Sequence, residues 1–249
     1  MAVSRNPEKS MSVIDHIREL RNSIFVSLIA YIIACIISFI LSEKILSIFT
    51  EQFTQVSGVV EKTLVISSIS EGFIAQLKMT VIAGLIISLP VHVFSIVKFV
   101  FPGLTVRERR IVLSFLVFSL ILIILGSYLA YFKIVPLAVR FLTNPYFVPK
   151  TVGFLLNYQT NIFYVLSFIL WAVLAFQAPL LMEILLALNV LKRKQVFRAS
   201  RYIIVGIFVL AAIITPPDFI SQLGVALPLT FFYFLALLVA KIFKFGEDT

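Results

Sequence analysis

Six apolar runs, residues 22–41, 73–97, 111–132, 162–188, 202–214 and 223–240, leave this chain few possible folds. At a rise of 1.5 Å per residue, about 20 residues cross the roughly 30 Å of a bilayer's hydrocarbon, and most of the runs are that long. In lipid every backbone polar group must find its partner internally, so the choice lies between spanning helices and a closed barrel. Hydrophobic residues make up 61% of the 249 and charged ones 13%, a balance outside that of soluble domains. The ten prolines lie mostly at or inside the apolar runs, which suits helices that bend better than strands with alternating faces. The chain is therefore read as an all-α integral membrane protein of six transmembrane helices. The fifth run gives a helix of only about 20 Å and the sixth is modest too. Joined through Thr215-Pro216-Pro217-Asp218, these two are expected to form a short hairpin over which the bilayer thins.

Orientation follows from the basic residues. Fifteen Lys and Arg fall before the first run, after the second, after the fourth and after the sixth, whereas five fall in the remaining connections, with Lys78 inside the second run. That asymmetry places both termini in the cytoplasm. The chain then divides as one polytopic membrane domain, 1–249. Residues 1–11 are expected to be disordered, 42–72 and 133–161 to cap the outer side, and 98–110 and 189–201 to form cytoplasmic loops. No cleavable signal peptide is expected, because the first ten residues are polar and the first apolar run is long enough to remain as a span. The net charge of +9 is then a topology signal rather than a nucleic-acid footprint. Cys35 is the one cysteine and His16 and His92 are the two histidines, so neither an intramolecular disulfide nor a metal set is available. No cofactor motif and no catalytic set appears, which argues against an enzyme. A secondary transporter or channel for a small solute is the competing reading, although no internal repeat points to the two-fold architecture of many transporters.

Several polar positions are informative. Ser12-Val-Ile-Asp15 resembles a capping box, and Val13, Ile14, Ile17, Leu20 and Ile24 form an apolar stripe, so 12–21 is expected to lie on the membrane surface ahead of the first span. The connection 98–110, KFVFPGLTVRERR, carries one acid, Glu108, among Arg107, Arg109 and Arg110. A carboxylate there can receive a guanidinium through two parallel charge-assisted bonds, or merely temper its basic neighbours. Gln177 lies mid-membrane, two residues before Pro179, which frees a backbone carbonyl and bends the helix. It either faces a concave surface as a polar site or satisfies the broken backbone or a neighbouring helix. Glu183, six residues on, falls about 240° further round a regular helix and so does not share its face. Glu183 is read as paired with a basic group or protonated. Lys78 is expected to snorkel, with Glu71 as a candidate partner, and His92, after Pro90, to bond between packed helices. Asp218, after Pro216 and Pro217, is expected to cap the sixth helix, with Ser221 and Gln222 in its first turn.

In order, HIRELR (16–21), SEGFIAQLK (70–78), Leu89-Pro90, FPGLTVRERR (101–110), AYFKIVPLAVRFL (130–142), Phe176-Gln-Ala-Pro179 and TPPDFISQ (215–222) resemble the TatC family. That family is the multi-spanning receptor subunit of the twin-arginine protein translocase. The resemblance implies a cupped six-helix bundle in the cytoplasmic (inner) membrane, working without a cofactor and driven by the proton-motive force. It implies that Glu19 and Glu108 contact the paired arginines of signal peptides on folded precursors, with His16, Arg21, Phe99 and Arg110 supporting them. It places Gln177 where many members carry an intramembrane glutamate, which removes titration at that position. The implied partners are the signal peptides, single-span proteins similar to the TatA and TatB families, membrane lipid and further copies of the chain.

Overall fold

The computed structural model describes residues 13–55, 64–100, 106–142, 144, 146, 156–215 and 218–246. The first helix, α1 (Val13–Ile40), runs unbroken for 28 residues. The expected surface segment is thus the start of the same rod, since neither proline nor glycine falls between Val13 and Ile40 to end a helix. A second helix, α2 (Ser42–Gln55), follows almost at once, and α3 (Glu71–Val100) then returns through 30 residues with Pro90 inside it. Next come α4 (Val106–Leu129), a π-helical turn (Ala130–Ile134) and α5 (Val135–Leu142), which together form one continuous rod.

The fourth apolar run is divided. Helix α6 (Tyr158–Ala175) stops at Phe176–Gln177, and α7 (Ala178–Ala187) restarts with Pro179 in its first turn, where a missing N–H is tolerated. Short α8 (Arg193–Arg198) leads into α9 (Ser200–Ile214), and α10 (Phe219–Ile242) completes the chain with Pro228 in its interior. Asp218 caps α10 as expected, its Oδ1 accepting the Ser221 N–H at 2.7 Å. Pro216 and Pro217 lie outside the described residues.

Among the described residues, α1, α3, the α4–α5 rod, the α6–α7 pair and α10 are long and apolar enough to cross a membrane. Helix α9, at 15 residues, spans only about 22 Å. The expectation of two short final helices holds for α9 alone. Because capping by Asp218 brings Phe219–Gln222 into the helix, α10 reaches 24 residues, or about 36 Å.

Helix α1 packs chiefly on α3. They approach closely at Gly84, where an added Cβ would lie 2.6 Å from the Cys35 Sγ. The central core joins α3, α6, α10 and the π turn through Leu89, Ile134, Val165, Phe168, Val225 and Leu229. At the end of the bundle formed by the start of α3 and α6, an element absent from the sequence reading appears. β1 (Leu64–Val65) pairs in parallel with β2 (Leu156–Asn157). Glu71 closes this corner, accepting from the Asn157 Nδ2 at 2.6 Å and from the Ser67 N–H. Lys78 takes a different partner from the one expected, its Nζ lying 4.5 Å from the centroid of the Phe163 ring.

Candidate functional site

The start of α1 meets the end of α3, and two of the expected binding residues touch there. The His16 imidazole stacks on the Phe99 ring with centroids 4.4 Å apart and planes 19° from parallel. Glu19, three residues after His16, lies on the same face of α1. It is half-buried, and its Oε2 is enclosed without a hydrogen-bond partner among the described residues. Because an enclosed carboxylate oxygen lacking a donor is costly, this is a place prepared to receive a donor. Arg18 reaches Asp15 at 3.7 Å on the outer surface of the same helix. Arg21 and Arg110 are exposed. The backbone of Glu108 belongs to the first turn of α4, but its side chain lies outside the described residues, as does the loop 101–105.

From the His16–Phe99 stack a groove of about 340 Å³ runs between α1 and α3, lined by Leu20, Ser23 and Ser27 on one side and His92, Ser95 and Phe99 on the other. Its floor is partly polar. The Ser88 Oγ and His92 Nε2 lie 3.2 Å apart, while the His92 Nδ1 and the Ser95 Oγ are buried without partners. His92 therefore bonds within its own helix rather than to a packed neighbour. The spacings Ser23–Ser27 and Ser88–His92–Ser95 each keep to one helical face, and that periodicity is the signal by which sequence reading could have found the groove.

A second polar locus lies at the α6–α7 break. The Gln177 Oε1 accepts the Ser119 hydroxyl of α4 at 2.8 Å, and its Nε2 is enclosed without a partner among the described residues. Glu183 is 8% exposed, and its Oε1 is likewise unpartnered. It opens on an apolar groove of about 550 Å³ walled by Ser114 and Phe118 of α4 and by Phe232 and Leu235 of α10. Gln177 and Glu183 thus have separate surroundings, in keeping with their different helical faces. A basic partner for Glu183 is not found among the described residues.

The family model for "Sec-independent protein translocase protein (TatC)" matches residues 15–228. The Sec-independent protein translocase protein TatC of Carboxydothermus hydrogenoformans is 31% identical over 95% of this chain and 96% of its own length. The TatC of Aquifex aeolicus is 30% identical over 93% and 95%, respectively. A crystal structure described as the twin-arginine translocase receptor TatC superposes with a TM-score of 0.78 at 29% identity, covering 92% of this chain and 99% of that one. A second, in the detergent DDM, gives 0.79 over 94% and 100%. With a family match along most of the sequence and a common arrangement of apolar helices, the chain belongs to the TatC family, a multi-pass subunit of the Tat protein transport pathway and not an enzyme.

Proposed function

We propose that this protein is the core receptor of a twin-arginine translocase in the cytoplasmic membrane, with both termini in the cytoplasm and α9 as the fifth of six spans, a short one. Its basic end binds the signal peptides of folded precursors. The observation that carries this reading is the convergence of His16, Phe99 and the enclosed, partnerless Glu19 Oε2 at the mouth of the α1–α3 groove. A guanidinium supplies the donors that such a carboxylate lacks, and binding two adjacent guanidiniums calls for a second acid. Glu108 fills that role, with Arg21 and Arg110 setting the edge of the patch so that only a peptide presenting its arginines in register is held. The groove continues from this mouth along apolar side chains, which suits the hydrophobic segment that follows the arginines.

Gln177 and Glu183 contact single-span partner helices of the TatA and TatB kind. Both offer enclosed polar atoms inside the membrane, where a donor or acceptor on an incoming helix is favourable. Copies of the chain associate within the assembled translocase, and transport draws on the proton-motive force. Pro90, Pro179 and Asp218 shape helices rather than touch the peptide.

The test places a photo-reactive group beside Glu108 and offers precursors with Arg-Arg or Lys-Lys in the signal peptide. Strong cross-linking of the first and weak cross-linking of the second is expected. Equal cross-linking of both would remove the receptor assignment, and substrate-dependent solute flux in liposomes from this chain alone would replace it with a transporter.

A further inference from the structure

The α1–α3 groove holds a polar pair set back from its mouth. Ser95 and His92 lie four and seven residues before Phe99 on α3, so they sit about 6 Å and about 10 Å deeper than the His16–Phe99 stack. Ser95 is 3% exposed and borders the groove, and its Oγ has no hydrogen-bond partner among the described residues. The His92 Nδ1 is enclosed in the same way. A turn about the one side-chain bond of Ser95 carries its hydroxyl from the floor into the groove.

The neighbours of this pair decide which of its atoms donate. The Ser88 hydroxyl donates to the Leu85 carbonyl at 3.2 Å, and with its one proton committed its oxygen accepts from the His92 Nε2, also at 3.2 Å. That tautomer leaves Nδ1 an acceptor. Tyr31, with its ring centroid 6.4 Å from that of His92, borders the far end of the groove. Its hydroxyl donates across to the Val81 carbonyl of α3 at 3.4 Å and so does not serve Nδ1. The floor therefore lacks one donor, for Nδ1, and one acceptor, for the Ser95 hydroxyl. An ammonium offers no acceptor, a carboxylate offers no donor, and an aliphatic side chain covers both atoms without compensation. A hydroxyl supplies both from a single atom.

We propose that His92 and Ser95 read the apolar segment of the bound signal peptide for one Ser or Thr, whose hydroxyl donates to the His92 Nδ1 and accepts from the Ser95 Oγ. The inference rests on the receptor reading, since it takes the arginines to be held at the groove mouth by Glu19. For a helical segment, the depth of the pair then sets the register. The hydroxyl falls about four to seven residues after the arginines, at 1.5 Å per residue. His92 and Ser95 are thus specificity residues for a position in the peptide that the acids at the mouth do not touch.

The test measures binding of fluorescent synthetic signal peptides to the full-length protein in detergent by anisotropy. Each peptide carries Arg-Arg and a Leu/Ala segment with a single Thr, or the Val that matches its shape, at one of the four positions in that window. In one register Thr should bind roughly tenfold tighter than Val. Ser95→Ala, which removes one buried atom, should reduce that preference, and His92→Phe should abolish it. Equal binding of Thr and Val peptides in every register, beside a retained preference for Arg-Arg over Lys-Lys, would overturn this inference alone. A Thr preference undiminished in both variants would overturn it too. Loss of the Arg-Arg preference in the unaltered protein would instead sink the receptor reading, and this inference with it.

Discussion

The Ser119 hydroxyl donates to the side-chain oxygen of Gln177 across 2.8 Å, joining α4 to the break that divides the fourth span. Ser119 is 2% exposed, so loss of its acceptor leaves a hydroxyl without compensation. Gln177→Leu is expected to cost about 1–3 kcal/mol, seen as a lower thermal midpoint in detergent. It should also weaken co-purification of single-span partners while leaving precursor capture near the parent level. Gln177→Glu keeps an acceptor and should lose less stability. An unchanged midpoint and unchanged partner yield in the Leu variant would remove Gln177 from the contact surface.

Asn157 has two tasks at the opposite end of the bundle. Its Oδ1 caps α6 by accepting the Thr160 N–H at 2.9 Å, and its Nδ2 donates to Glu71 at 2.6 Å. Asn157→Ala removes both and should destabilise by about 1–3 kcal/mol. Asn157→Asp keeps the cap but sets a carboxylate against Glu71, so it should be no better than Ala at neutral pH. If Asp matched the parent in a chemical denaturation series, the bond to Glu71 would carry no weight.

At Gly84 the two helices touch along their backbones. A Cβ would lie 2.6 Å from the Cys35 Sγ and 3.1 Å from the Cys35 Cα. Gly84→Ala should therefore push α1 away from α3, with an overpacking cost of about 1–3 kcal/mol. Cys35→Ala removes the nearer obstacle and should restore part of the loss, although the backbone contact remains. Full additivity of the two changes in a double-mutant cycle would show that they do not meet.

Much of this architecture could be read from the sequence, and the parts that could not share a physical cause. Hydrophobic run length located the spans because the cost of exposed backbone in lipid leaves no other solution. The Asp218 cap was legible because the signal is local, a short acceptor directly after two prolines. The length of α10 was not, because the apolar run was bounded at 223–240, although Asp218 was expected to cap the helix with Ser221 and Gln222 in its first turn. The β1–β2 pair and the Glu71–Asn157 bond join residues more than 80 positions apart, and no local pattern announces them. The His16–Phe99 stack joins two positions that the family resemblance implies as members of one patch, without saying that they touch. The groove behind it depends on which faces of α1 and α3 meet, which helical periodicity narrows but does not decide.

The two acids assigned to the signal peptide give a sharper test together than singly, since either could hold one guanidinium alone. Glu19→Ala with Glu108→Ala should abolish export of a folded twin-arginine substrate, while the protein is still inserted and extracted normally. Glu19→Gln should fall between, because it retains an acceptor but not the charge. Wild-type export from the double variant would show that other groups bind the arginines.

The π turn at Ala130–Ile134 has a consequence for how the third rod tolerates length changes. Such a turn holds a surplus residue relative to the regular spiral, and here it lies between two stretches that both present buried side chains, Ile123 before it and Val135, Ala138 and Val139 after it. Deleting one residue of the five would restore an even winding and leave the downstream faces nearly in place, whereas winding all five as a regular helix would swing everything downstream by about 100°. In that regular winding the buried trio would turn outward, so taking up the surplus residue in one wide turn is what lets one rod serve two differently oriented walls.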